Sequence, residues 1–253
     1  MSNLIANIES PQEKRVGAPR EPSWFVNDFD HFSALSKRED REVVVDWNDR
    51  KPCLEDRTSD CTFDRHYIYH TAWAARVLAR SKPGRHVDIS SSLYFSAIAS
   101  AFVPVEFYEF RQTSLKLDGL KTGTANLTAL PFADSSLPSV SCMHVIEHIG
   151  LGRYGDAIDP NGDLKAIEEL KRVTAPGGSL LFVVPIGRPR VVFNAHRIYS
   201  IDQIRNYFIG FSIEEFALVP DGRHNLGLVS NPSDDVVNQQ NYGCGCFWLR
   251  RAA

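Results

Sequence analysis

A doubly wound α/β sheet is the fold class this sequence predicts, and three observations predict it. Short apolar runs at Arg85–Ile89, Val105–Phe110, Ser139–Met143 and Ser179–Val184 alternate with segments of helical spacing. That alternation builds a mostly parallel sheet with helices on both faces. Several of these runs end in polar or turn-forming residues, as strand ends that carry ligands do. Finally, Pro176-Gly177-Gly178 stops a helical pattern directly before a continuous apolar run, which marks a helix returning to a buried strand. The expectation is seven strands within residues 81–253, preceded by an extension over residues 1–80 that is flexible at first and then helical.

The elements follow in order. Residues 1–22 are polar, contain Pro11, Pro19 and Pro22, and read as a flexible lead. From Ser23 to Lys37 the spacing of Trp24, Phe25, Phe29, Phe32 and Leu35 predicts a short amphipathic helix. Val43–Trp47 reads as an edge strand or extended segment. Asp64–Arg80 repeats Tyr67, Thr71, Ala74 and Leu78 at helical spacing, with Asp64 as N-cap and Lys82-Pro83-Gly84 as stop. A helix over Leu93–Phe102 and a short piece at Ser114–Leu120 precede a third strand at Thr124–Leu127. Gly162–Val173 aligns Leu164, Ile167, Leu170 and Val173 on one helical face, and Ser200 caps a helix over Ile201–Phe208. Phe211–Val219 and Cys244–Arg250 read as an antiparallel hairpin at the sheet edge.

Composition narrows the function classes. A net charge of −3 over 253 residues gives no bulk basic footprint for nucleic acid. The five cysteines form no C-x-x-C pair, and an odd number reads as reduced, cytoplasmic thiols. Cys244 and Cys246 read as small apolar residues on one face of a strand. The N-terminus lacks a signal-peptide core, and the longest apolar run, Leu180–Val184, is far too short to span a bilayer. No nucleic-acid partner and no integral membrane segment are expected; the oligomeric state is open.

The chemistry concentrates in His144–Gly162, HVIEHIGLGRYGDAIDPNG. Two histidines and a glutamate within five residues, then Arg153, Tyr154, Asp156 and Asp159 between glycines, exceed what folding alone requires of a post-strand loop. Other strand ends add to it. Asp88 opens a small-residue turn, Ser90–Ser92, that lets the backbone approach a ligand. Glu109 lies 21 positions after Asp88, about the interval at which a carboxylate meets ribose hydroxyls in nucleotide-binding sheets. Asn194-Ala195-His196-Arg197 follows the fifth strand, where His196, with an unperturbed pKa near neutrality, can take a proton. Arg153, Arg188 and Arg197 suit a phosphate or carboxylate. Arg153, Asp156 and Asp159 can equally form an internal salt-bridged loop. His66 and His70, at i and i+4, read as polar positions on a half-exposed helix.

The runs NLTALPFADSSLPSVSCMHVIEHI and AIEELKRVTAPGGSLLFVVP resemble the middle of a class I S-adenosylmethionine-dependent methyltransferase. EHIGLGRYGD, IDPNGD, VPIG and FNAHR resemble, within that superfamily, an uncharacterised bacterial methyltransferase-like family associated with surface-glycan assembly. The resemblance implies a Rossmann-like sheet, S-adenosylmethionine as cofactor, and a small-molecule or glycan-linked hydroxyl as acceptor. It places Asp88, Ser90 and Ser92 in the first motif, Glu109 on the ribose, and Asn126 and Leu127 at the adenine. His144 then falls where methyl donor and acceptor meet. His144 or His196 would serve as base, oriented by Glu147 or Asp156. Arg153, Tyr154, Asp156, Asn194 and Arg197 would hold the acceptor, and Tyr67 and His70 would close over the cofactor. The first motif departs from the family's pattern, with Ser90 and Ser92 where glycines are usual.

Two other readings are carried forward. One is a methyltransferase-like binding or scaffold protein whose serine turn has lost the cofactor. The other is a metal-dependent enzyme through His144-Val145-Ile146-Glu147-His148, which spells the inverted zinc-hydrolase motif H-x-x-E-H. That motif requires a continuous helix, and the glycines at 150 and 152 argue against one. No metal is expected.

Overall fold

The computed structural model describes residues 21–39, 42–222 and 227–253. The lead expected over 1–22 lies outside them except for Glu21 and Pro22. The chain divides into two compact units, residues 1–62 and 63–253. The second unit therefore begins before the helix that the sequence reading assigned to the extension.

In the first unit, helix α1 (Ser23–Ser36) forms where its aromatic spacing predicts. Phe29 meets Trp47 edge-on at 4.8 Å, and Arg50 lies over the Trp47 ring while pairing with Glu21 at 2.7 Å. Residues 42–46 pair with no strand; Asp46 instead caps a single 3₁₀ turn over Trp47–Asp49.

The second unit is built on an eight-stranded sheet. Its elements are α2 (Arg65–Ser81), β1 (His86–Ile89), α3 (Leu93–Ala99), β2 (Val105–Glu109), β3 (Leu120–Thr124) and β4 (Leu137–Met143), then α4 (Gly162–Val173) and β5 (Thr174–Ile186). A small hairpin, β6 (Arg190–Val192) and β7 (His196–Ile198), precedes α5 (Ile201–Tyr207), β8 (Phe211–Val219), β9 (Val229–Ser230), α6 (Asp234–Asn238) and β10 (Gly243–Arg251). The order is β3-β2-β1-β4-β5-β10-β8-β9, with β3 through β5 parallel and β10 antiparallel to both its neighbours. This is the mostly parallel, doubly wound sheet expected, with the two-residue β9 as an eighth strand.

Alternation along the strands divides the core. Val87, Ile89, Val140, Cys142, Phe182 and Val184 face α4 and α5; Met143, Leu181, Val183, Ala217, Cys244 and Cys246 face α2 and α3. The predicted caps hold: the Asp64 carboxylate accepts from Tyr67 N, and Ser200 with Gln203 forms a capping box, each cap contributing about 1 kcal/mol.

Two strand assignments need correction. The third strand lies at Leu120–Thr124, not Thr124–Leu127. Gly123 reads as a turn residue but sits mid-strand, where a Cβ would strike the Tyr108 ring. The last strand is not at the edge: β10 is inserted between β5 and β8, with Gly243 to Phe247 fully buried. Gly245 permits this, because the Phe247 ring occupies the space where its side chain would go.

Candidate functional site

The turn after β1 is built by a closed polar network on the α2–α3 face of the sheet. Asp88 accepts from Ser91 N at 3.0 Å and from the Ser141 hydroxyl at 2.5 Å. Both His86 ring nitrogens meet hydroxyls, Ser139 at 2.8 Å and Ser141 at 2.9 Å, and Met143 N donates to Ser91 Oγ. Burial pushes the Asp88 carboxyl up to about 7 and the His86 imidazole down to about 3. Asp88 thus shapes the turn from beneath. Ser90 takes the left-handed conformation (φ 57°) that a glycine would adopt freely, while Ser92 has ordinary extended backbone as the N-cap of α3.

Above that turn lies a cavity of about 660 Å³, the size of a site for a large cofactor. Ser90, Glu109, Asn126 and Leu127 line one side of it; Asp88 and Ser92 do not. The Asn126 carbonyl is occupied by Thr128 N (3.0 Å) and Thr128 Oγ1 (2.9 Å), which leaves its amide N–H groups to donate. The LPF-x-D run of the resemblance is a scaffold rather than a site. Arg172 of α4 donates to the Leu130 and Phe132 carbonyls and pairs with Asp134 at 2.7 Å.

The loop from His144 to Gly162 forms the opposite wall. It contains no continuous helix: His144 is left-handed (φ 57°), and only Ile146–His148 makes a 3₁₀ turn. The H-x-x-E-H reading thereby loses the scaffold it needs. Beyond the turn, Gly150 has φ 80° and runs so close to the Asp159 carbonyl that any side chain there would collide with it. Asp156 orders the loop by accepting from the backbone N–H groups of Gly150, Gly152 and Tyr154, so it orients no histidine. Asp159 pairs with Lys165 at 2.7 Å.

Arg197 is buried, at 6% exposure, and donates to the carbonyls of Ile149, Asp159 and Pro160 beside Asp163. Asn194 donates to the Leu151 carbonyl, and the Arg188 guanidinium donates to the Asn241 side chain. These three hold the loop and its surroundings rather than facing a ligand. The salt-bridged loop expected of Arg153, Asp156 and Asp159 does not form among the described residues: Asp156 ties the loop through backbone N–H groups and Asp159 pairs with Lys165 instead. Arg153, over the Tyr154 ring and donating to the Ala195 carbonyl, remains in a cleft.

That cleft, about 430 Å³, is lined by His66, Glu147, Arg153, His196 and Tyr242 among others, and Tyr67, His144, His148 and Tyr154 border both cavities. The His66 ring stacks between His144 (5.2 Å) and Tyr242 (4.9 Å), and Tyr67 stacks on His144 at 5.6 Å. His144 Nδ1 meets Glu147 Oε1 at 2.7 Å, whereas His144 Nε2, Glu147 Oε2 and His70 Nε2 are buried with no partner. Burial pushes His66 and His144 down to about 4 and His70 to about 3, so all three rings are neutral at pH 7. Burial also raises Glu147 to about 7. His196 is less buried, is lowered by burial with Glu147 opposing, and packs on Tyr242 at 4.7 Å. His148 Nδ1 meets the Ala195 carbonyl at 2.5 Å.

Sequence reasoning singled out His144, Glu147 and His196 and took His66 and Cys244 as bland; His70, expected to close over the cofactor with Tyr67, is buried and lines neither cavity. His66 and His70 share α2 while Cys244 lies in β10, and only the fold brings the helix pair and the cysteine together.

A family model described as a methyltransferase domain matches residues 71–182. A second, described as a Caenorhabditis protein of unknown function, DUF268, matches residues 132–239. No curated protein matches the chain in sequence. Among solved structures, the Burkholderia thailandensis 1,6-didemethyltoxoflavin-N1-methyltransferase, with its bound 1,6-didemethyltoxoflavin and S-adenosylhomocysteine, is similar at TM-score 0.54 and 11% identity, over 94% of each chain. The YcgJ protein of Bacillus subtilis is similar at TM-score 0.51 and 12% identity, over 74% of this chain and 99% of the other. The fold is that of the Rossmann-like methyltransferases.

Proposed function

We propose that this chain is an S-adenosylmethionine-dependent methyltransferase acting on a small-molecule or glycan-linked hydroxyl. The observation that carries the reading is the meeting of two cavities at the carboxyl ends of β1, β2 and β4, one cofactor-sized and one rich in histidine, with Tyr67, His144, His148 and Tyr154 bordering both. When bound, the cofactor supplies an already activated sulfonium methyl, so the protein's task is mainly alignment and proton removal.

The residues present fit the cofactor. Ser90 adopts the turn conformation the cradle needs, and Glu109 can accept from two ribose hydroxyls. Leu127 gives an apolar surface for adenine. Asn126, its carbonyl engaged, would donate to an adenine ring nitrogen rather than accept from the amine. Of the two histidines considered as base, His196 is favoured, because His144 Nε2 is buried with almost no exposed surface whereas His196 is less buried. Glu147 positions the His144 ring, and Arg153 and Tyr154 are the acceptor contacts. Reduced cysteines agree with a cytoplasmic place, and among the described residues no helix is long and apolar enough to cross a membrane.

Isothermal titration with S-adenosylmethionine and S-adenosylhomocysteine tests the reading. Binding is expected, and Glu109→Ala should weaken it at least tenfold, about 1.4 kcal/mol. No heat at millimolar ligand would sink it. A binding or scaffold protein remains the second reading, favoured by the serine side chain in the Ser90 turn. Cofactor binding that appears only in Ser90→Gly with Ser92→Gly would establish that alternative.

A further inference from the structure

We propose that His66, His144 and Cys244 form a binding site for a divalent metal ion of the zinc class, at the floor of the histidine-rich cleft. The site uses neither the H-x-x-E-H pair nor the C-x-C pair as a unit. Its three ligands come from the first turn of α2, the residue after β4 and the start of β10.

Geometry comes first. One nitrogen of each imidazole and the Cys244 sulfur all lie within 4.8 Å of one another. In a tetrahedral zinc site the metal–ligand distances of about 2.0–2.3 Å put ligand atoms roughly 3.5 Å apart. Closing this cluster onto an ion therefore takes movements of about 1 Å in the ligand atoms.

The hydrogen bonds then select which atoms are free. His144 Nδ1 is held by Glu147 Oε1 at 2.7 Å, and Nε2 is buried without a partner; with Glu147 ionised, Nδ1 carries the proton and Nε2 offers its lone pair. A histidine whose second nitrogen donates to a carboxylate is the usual arrangement behind a metal, where the carboxylate fixes the tautomer and strengthens the donor. His66 repeats the pattern, with a ring nitrogen bonded to the Tyr242 backbone. His70 stands beside them, its ring 5.1 Å from that of His144. Its Nδ1 is tied to the His66 carbonyl at 2.6 Å and its Nε2 is also unpartnered, a further donor close by.

A buried imidazole nitrogen left without a partner has lost its hydration with nothing in return. A bound ion would satisfy His144 Nε2 directly. The donor set is also specific. Two imidazoles and a thiolate suit zinc or cobalt and exclude magnesium and calcium, which require oxygen ligands. The thiolate, with the Glu147 carboxylate behind His144, balances the ion's charge in a region where burial would otherwise forbid it.

Three protein ligands leave a fourth position. His66 and His144 line the cleft while Cys244 is fully buried, so that position opens toward the cleft. If the methyltransferase reading holds, the acceptor's heteroatom would take this position and its proton would pass to His196. This last step rests on that reading; the metal site itself does not.

The test uses the full chain without an affinity tag, stripped by a chelator and titrated with Co²⁺ followed by optical absorption. A near-ultraviolet thiolate-to-cobalt band and a tetrahedral visible spectrum are expected at near-stoichiometric metal. Cys244→Ser should abolish the near-ultraviolet band, and His66→Ala, on the first turn of α2, should weaken cobalt binding at least tenfold. His148→Ala should retain it, as the H-x-x-E-H arrangement would not. Circular dichroism and S-adenosylhomocysteine titration on each stripped variant report folding and cofactor binding separately. Stripped wild-type protein that binds S-adenosylhomocysteine but no cobalt would overturn the metal site and leave the methyltransferase reading intact. A thiolate band that survives Cys244→Ser would equally overturn it.

Discussion

Two buried polar clusters lie on the same face of the sheet, and they differ in one respect. Around Asp88, the carboxylate, the His86 ring and the hydroxyls of Ser139, Ser141 and Ser91 all find partners within the cluster or the adjacent backbone. Around Glu147, the carboxylate and the rings of His144 and His70 each leave one buried atom without a partner. Both clusters use histidine and carboxylate. The closed cluster, around Asp88, serves the turn after β1 and leaves one neighbouring atom, the Ser96 hydroxyl, buried without a partner; the open cluster, around Glu147, leaves three, a carboxylate oxygen and two ring nitrogens. Satisfaction, more than residue type, separates structural polarity from functional polarity here.

The largest effect is expected from breaking the closed cluster. His86→Ala would strand the Ser139 and Ser141 hydroxyls and leave a cavity, destabilising the protein by about 3 kcal/mol in urea unfolding. A change below about 1 kcal/mol would mean that the closed network holds little of the fold.

Acid separates the clusters next. His86, lowered to about 3, makes stability fall as pH drops below 6.5, because only the unfolded chain takes up the proton. Asp88, raised to about 7, acts with the opposite sign between pH 7 and its unfolded value near 3.8, because only the folded chain keeps the proton. The closed pair therefore nearly cancels. In the open cluster three lowered histidines oppose one raised glutamate, so metal-free protein should lose stability from pH 6.5 to 4. Urea midpoints at pH 7 and pH 5 measure this; an equal midpoint would contradict it.

The smallest effect sharpens the closed side. Ser90→Gly relieves a left-handed serine and should stabilise the fold by about 1 kcal/mol, read as a rise in thermal midpoint. A fall would show that the Ser90 hydroxyl contact to the Tyr108 carbonyl, at 3.2 Å, outweighs the backbone strain.

The contrast also explains what was legible beforehand. Strands β1, β4 and β5 and helix α4 are local patterns of apolar residues, so their places and neighbours follow from periodicity. Glu109 and the Ser90 turn are readable because they stand at strand ends with meaningful spacing. The third strand was misplaced because Gly123 signals close packing against Tyr108, which resembles a turn signal when seen alone. The cluster of His66, His144 and Cys244 has no local signature. Its members lie on three elements, and the i, i+4 histidines and the C-x-C pair each have a commoner meaning by themselves. Asp156 and Arg197 were read as ligand-facing because sequence shows charge but not the backbone groups that consume it.

The position of β10 has a consequence for assembly order. A chain in which β1 through β5 have formed already contains the turn, Glu109, Asn126 and the loop that wall the larger cavity. It lacks Tyr242 and Cys244, which arrive only when a late segment slides between β5 and β8. Such long-range closure is slow relative to local pairing. The walls of the larger cavity thus come from the strands that precede α4, whereas the histidine-rich cleft is complete only in the finished sheet.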